Sequence, residues 1–125
     1  MSLEILDMPL LTEKYTQVLF DKESVCFDAP HRFIVVEKEK DENEGQKVLT
    51  EVNFQMGPIK ENGVNGCSNE DLINMVICRL EGFQNGNYSC DENKMAIQKL
   101  EEALMWLRKR TIKREKRNVE GTSEI

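Results

Sequence analysis

Hydrophobic and polar positions follow two different periods along this chain, and the change falls near residue 68. Residues 1–12 show no clear period and read as an arm. Residues 15–27 carry β-type side chains and predict a short strand, which Asp28-Ala29-Pro30 then breaks. Residues 33–38 and 47–54 alternate in part and predict two strands, joined by the charged loop 39–46, whose Gly45 suits a turn. Gly57-Pro58 ends the second of these, and residues 59–67 form a Gly/Asn-rich connector.

Beyond the connector the step becomes three and four. Leu72, Ile73, Val76, Ile77, Leu80 and Phe83 mark one buried helical face, opened by Ser68 with Asp71 as a capping box and closed by the Asn85-Gly86-Asn87 turn. Ser89 with Glu92 predicts a second capping box, after which Ile97, Leu100, Leu104, Leu107 and Thr111 stand at heptad spacing. The pattern predicts an α+β fold: a small N-terminal antiparallel β-sheet followed by a long antiparallel two-helix hairpin. One domain is expected over 1–125, with arm, sheet and connector in 1–67 and the hairpin and tail in 68–125.

The two helices are unequal. Residues 92–117 reach roughly 40 Å at 1.5 Å per residue, whereas residues 69–84 reach only about 24 Å. Trp106 and Leu107 therefore lie beyond what the first helix covers, and either the N-terminal half or a second chain must cover them. An apolar seam sustained on a long helix favours a second chain, so the hairpin is expected to oligomerise through its helices.

Composition adds bounds. With 39% hydrophobic and 32% charged residues among 125, the chain reads as an ordinary soluble domain, and no apolar run is long enough to span a bilayer. The start lacks a cationic-plus-apolar leader, so action in the cytoplasm is expected. Cys26, Cys67, Cys78 and Cys90 form no C-x-x-C pair and His31 is the lone histidine, which favours four reduced, partly buried thiols over a metal site. The net charge is −6, yet Arg108, Lys109, Arg110, Lys113, Arg114, Lys116 and Arg117 crowd one helix end. A positive field this local suits a small anion better than a nucleic-acid backbone.

Catalytic chemistry finds little support. There is no G-x-S-x-G, H-E-x-x-H or phosphate loop, His31 follows Pro30 as a structural histidine would, and Glu101-Glu102 diverge by about 100° on a helix. Arg110 and Arg114 are better placed: at i, i+4 they share a face, and two guanidinium forks match phosphate oxygens. The same charges would also merely solubilise a helix end and complement its dipole. Phe83 is either ordinary core or a platform on which a base stacks, and Asn93 either a first-turn polar residue or a reader of an adenine edge.

At these residues a family resemblance becomes specific. The runs 53–67 (NFQMGPIKENGVNGC), 79–84 (RLEGFQ), 92–107 (ENKMAIQKLEEALMWL), 109–111 (KRT), 114–122 (REKRNVEGT) and, upstream, 29–33 (APHRF) are similar to the first-described type of Thoeris anti-defence sponge, a family encoded by bacteriophages. The resemblance covers roughly the last three quarters of the chain. It implies a non-enzymatic protein without cofactor. Its ligand would be a cyclic ADP-ribose isomer made by bacterial TIR-domain enzymes, held unaltered in the host cytoplasm so that the NADase effector stays off. It further implies a homodimer or larger homo-oligomer with pockets between subunits, and it leaves open a second class of pocket for cyclic oligonucleotides. By motif, Phe83 would stack on the adenine, Asn93 would hydrogen-bond near it, and Arg110 and Arg114 would grip the phosphates. Met56 and Asp91 depart from the Asn and basic residue expected there, and Asn118 replaces a glycine, although Asn also tolerates a left-handed helix end.

Arg110 lies roughly 25 Å along the helix from Asn93, whereas a nucleotide pocket is only about 10 Å across. One chain cannot bring both to one ligand, so a shared site needs a second, antiparallel subunit and comes in two equivalent copies. The alternative from another class is a small oligomeric nucleic-acid-binding regulator that uses the basic helix end.

Overall fold

The computed structural model describes all 125 residues. It resolves into two compact units, Met1–Gly66 and Cys67–Ile125, taken here one at a time.

The first unit is a four-stranded antiparallel meander, with strands in the order β1 (Leu3–Ile5), β2 (Thr16–Asp21), β3 (Arg32–Asp41) and β4 (Gly45–Asn53). The expected arm thus contains a strand: Leu3 and Ile5 lie opposite Asp21 and Leu19. Three residues are too few to show a period, so only the pairing reveals it. The β3–β4 hairpin is longer than its alternation suggested, because Glu39, Lys40 and Asp41 continue the ladder as charged, exposed strand residues. The core of this unit is thin. Ile34 and Val36 alternate inward on β3 and are 4% and 3% exposed, and on the opposite face Phe33 meets Phe54 edge to face at 5.6 Å.

A polar corner holds the meander's start. The buried Ser24 hydroxyl donates to the Asp21 carbonyl at 2.6 Å and accepts from the backbone N–H groups of His31 and Arg32 at 3.1 and 3.0 Å. His31 also places Nδ1 3.1 Å from the Ser24 carbonyl, so its ring is engaged in the corner. The guanidinium of Arg32 joins Asp21 (3.4 Å) to Glu51 (2.5 Å) across three strands.

The connector after β4 is a built loop. It holds one helical turn, α1 (Ile59–Asn62), where sequence alone showed only glycine and asparagine. Two carboxamides clasp it. Gln55 Nε2 donates to the carbonyls of Gly57 and Gly63 at 3.1 and 2.8 Å, while its Oε1 accepts from Asn65 N–H. Asn65 in turn satisfies both main-chain groups of Met56 at 2.8 Å. Only the backbone of residue 56 is used, which explains why methionine is tolerated there. Gly66 is required sterically, since a Cβ would lie 2.4 Å from the Phe54 carbonyl carbon.

The second unit is the hairpin of α2 (Asn69–Gln84) and α3 (Asp91–Lys116). The Ser68/Asp71 capping box forms in both directions, at 3.2 and 2.9 Å. The second start differs from expectation. Cys90, not Ser89, is the cap, its Sγ accepting from Asn93 N–H at 3.4 Å. The cause is Gln84, whose carboxamide grips both backbone groups of Cys90 (2.9 and 3.0 Å) and fixes it in extended conformation just before the helix. Ile77 and Ile97 form the buried centre of the seam, flanked by half-buried Leu72, Ile73, Leu80, Leu100, Leu104 and Leu107. No residue anywhere in the chain is fully buried, and Trp106 on the overhang of α3 is 63% exposed.

Candidate functional site

The four candidate residues sort to the two ends of α3. At the hairpin turn, Phe83 ends the apolar face of α2 and is 36% exposed. Its ring meets Tyr88 at 6.3 Å and 75°, and one turn earlier on α2 the Arg79 guanidinium lies 5.3 Å from its centroid. Asn93 stands in the first turn of α3, where its Nδ2 donates to the Tyr88 carbonyl at 3.4 Å. Phe83 and Asn93 are therefore brought to one locus, with Tyr88 bridging them. Asp91 opens α3 beside this locus, where a carboxylate complements the helix dipole.

Sequence reasoning missed Arg79 and Tyr88. The i, i+4 spacing of Arg79 and Phe83 was the available signal. Arg79 also lines an open groove of about 610 Å³ along α2, shared with Cys67, Asp71, Asn74, Met75 and Cys78. The expectation of four partly buried thiols holds for Cys26 and Cys67 only; Cys78 and Cys90 are exposed.

At the far end, Arg110 is exposed and makes no ion pair or side-chain hydrogen bond. Arg114 is half-buried and engaged. Its Nη2 donates to the carbonyls of Val119, Thr122 and Glu124 at 3.2, 3.1 and 2.8 Å. This contact depends on how α3 stops. Asn118 adopts φ 59°, its N–H donates to Glu115 O, and Val119 N–H reaches back to Arg114 O, both at 3.0 Å. That is the Schellman closure, and it turns the tail back over the last helical turn. Asn118 thus takes the left-handed conformation expected of it. Single-chain geometry keeps the two ends apart: Asn93 and Arg110 are separated along a continuous helix by roughly 25 Å.

The carboxylates of the hairpin that form ion pairs do so at the surface: Glu102 faces Lys99 at 3.9 Å, and Glu115 faces Arg108 at 3.4 Å. The arrangement presents an aromatic face and a carboxamide at one end of α3 and guanidinium groups at the other.

Known proteins carry the same hairpin. The family described as the Acb2/Tad1 hairpin domain matches residues 46–111, from β4 to one residue past Arg110. Thoeris anti-defense 1 of Bacillus phage SBSphiJ7 is 48% identical, over 92% of this chain and 94% of its own length. A match over 92% of this chain reaches well beyond the hairpin and takes in the sheet unit as well. The chain therefore belongs to the Acb2/Tad1 hairpin family, among the Thoeris anti-defence proteins of bacteriophages.

Proposed function

We propose that this protein counters Thoeris inside the infected host by sequestering a cyclic ADP-ribose isomer made by TIR-domain enzymes, without chemistry on the ligand. The observation that carries the reading is the division of recognition chemistry between the two ends of α3 in a chain of this family. The adenine stacks on Phe83 and its edge meets Asn93. Arg110 and Arg114 of a second, antiparallel chain take the phosphates, and two-fold symmetry yields two such pockets. Support for the second chain comes from the hairpin's surface: Met75, Val76, Met95, Met105 and Trp106 are exposed, more apolar surface than two buried isoleucines balance.

Each contact has a scale. A charge-assisted bond to phosphate contributes about 1.5–3 kcal/mol and base stacking about 1–3 kcal/mol, so losing either weakens binding by one to two decades. Arg110→Ala is the clean test, because Arg110 has no partner to lose in the free protein.

Two measurements test the reading. Loaded protein, heated and analysed by mass spectrometry, should release intact cyclic nucleotide; cleaved product would make the protein an enzyme. Mixing Phe83→Ala chains with Arg110→Ala chains should restore binding in a fraction of pockets, and no recovery would remove the shared cleft. Salt-dependent retention of DNA with no nucleotide binding would instead favour the nucleic-acid regulator.

A further inference from the structure

Two groups hold the ring of Phe83 at the hairpin turn. Tyr88 meets it edge to face at 6.3 Å and 75°, and the Arg79 guanidinium lies over it, 5.3 Å from the centroid. Nothing on α2 competes for that guanidinium. The neighbours of Arg79 three and four residues away are Met75, Val76, Gly82 and Phe83, so no carboxylate stands where a helical ion pair would form. Arg79 is exposed and enters neither ion pair of the hairpin, Lys99–Glu102 or Arg108–Glu115. Gly82 keeps the same strip of helix bare. A Cβ there would meet nothing within 4 Å, so packing within the chain does not demand the glycine, which a helix interior disfavours. What remains for the guanidinium is the face of Phe83.

We propose that Arg79 is a positioning residue of the base site: packed behind Phe83, it fixes which face of the ring is presented, and the nucleotide base stacks on the opposite face without touching the guanidinium. The inference rests on the reading that Phe83 stacks on the base. An aromatic face is negative, as is the π cloud of a purine, so two bare faces repel at full overlap. A cation on one side of the ring offsets that charge and leaves the other side better suited to a base. It also orders the side chain before the ligand arrives, so less ordering remains to be done on binding. Arg79 then differs in kind from Arg110 and Arg114, because it acts through a ring and never meets the phosphates.

The test titrates a cyclic ADP-ribose isomer calorimetrically into the full chain, Arg79→Met, Arg79→Lys, Phe83→Leu and the double variant Arg79→Met/Phe83→Leu. Methionine keeps a long stem and a good helix former while removing the charge. Arg79→Met should bind about fivefold more weakly than the full chain, and Arg79→Lys, which keeps a cation over the ring, should recover most of that loss. Phe83→Leu should weaken binding by about tenfold or more, and adding Arg79→Met to it should change affinity by less than about twofold. Parental affinity in Arg79→Met, or the same loss with and without the Phe83 ring, overturns the positioning role; Phe83→Leu, if still impaired, leaves the stacking role standing. Parental affinity in Phe83→Leu overturns both. Should Phe83→Leu lose helix content by circular dichroism, proton resonances decide on chains that keep the ring. The adenine H2 and H8 signals of bound ligand should lie upfield in the full chain, through the ring current of Phe83, and move back downfield in Arg79→Met at saturation. Identical shifts in the two proteins overturn the proposal.

Discussion

Arg32 shows how much of the sheet unit rests on single side chains. Its guanidinium spans Asp21 and Glu51, and the hydrogen bond to Glu51 holds its own pKa above the ordinary arginine value. Asp21 is held below the usual 3.8, first by the backbone N–H of Ser2 and further by Glu23 N–H and Arg32, against the opposing effect of burial. Glu51 is held below the usual 4.5, chiefly by its bond from Arg32. Both carboxylates have depressed values in the folded state. Their stabilisation is therefore fully present above the ordinary carboxylate range and disappears as pH falls through the lowered values. Unfolding followed by far-ultraviolet circular dichroism should show a midpoint that declines steadily below about pH 4.5, and Arg32→Met should flatten much of that decline. A midpoint independent of pH in this range would mean that the corner does not carry the strands.

At the scale of elements, the two helix starts form an internal comparison. Ser68 caps α2 with an oxygen and a reciprocal carboxylate, whereas Cys90 caps α3 with a sulfur, a weak acceptor, at 3.4 Å. Cys90→Ser should stabilise the hairpin by about 0.5–1 kcal/mol, read as a higher thermal midpoint, while Cys90→Ala should not. The same contrast explains what the sequence revealed. Ser68, Asp71 and the three-four period were legible because capping and helix burial are local. The start of α3 was misplaced by one residue because Gln84 decides it, through a side chain six positions away. The first strand was illegible because Leu3–Ile5 is defined only by its partner Thr16–Asp21. The clasp of Gln55 and Asn65 likewise hides in a stretch whose composition reads only as a loop.

At the scale of the molecule, the same distinction governs the site. The candidates Phe83, Asn93, Arg110 and Arg114 come from residue type and spacing together with family motifs, and remain a proposal. Tyr88 at the turn and the tail over Arg114 needed coordinates. The proposed second chain has an optical reporter, since Trp106 is the sole tryptophan and is mostly exposed in one chain. If a partner covers the overhang of α3, its emission should be blue-shifted at high concentration and move red on dilution through a single transition, matched by mass in sedimentation. Emission and mass independent of concentration, with a monomeric mass, would end the two-chain cleft.

The order of the meander leaves β1 and β4 as the outer strands of the sheet. One is only three residues long; the other carries Lys47 and Glu51 and faces a partner whose register slips on either side of Val36. Short length, charge and bulges are what keep exposed strands from zipping onto their neighbours. If the protein acts by the stoichiometric capture proposed above, it has to accumulate within one infection cycle, and borders blunted in this way are the kind that would let many copies crowd together without growing into fibres.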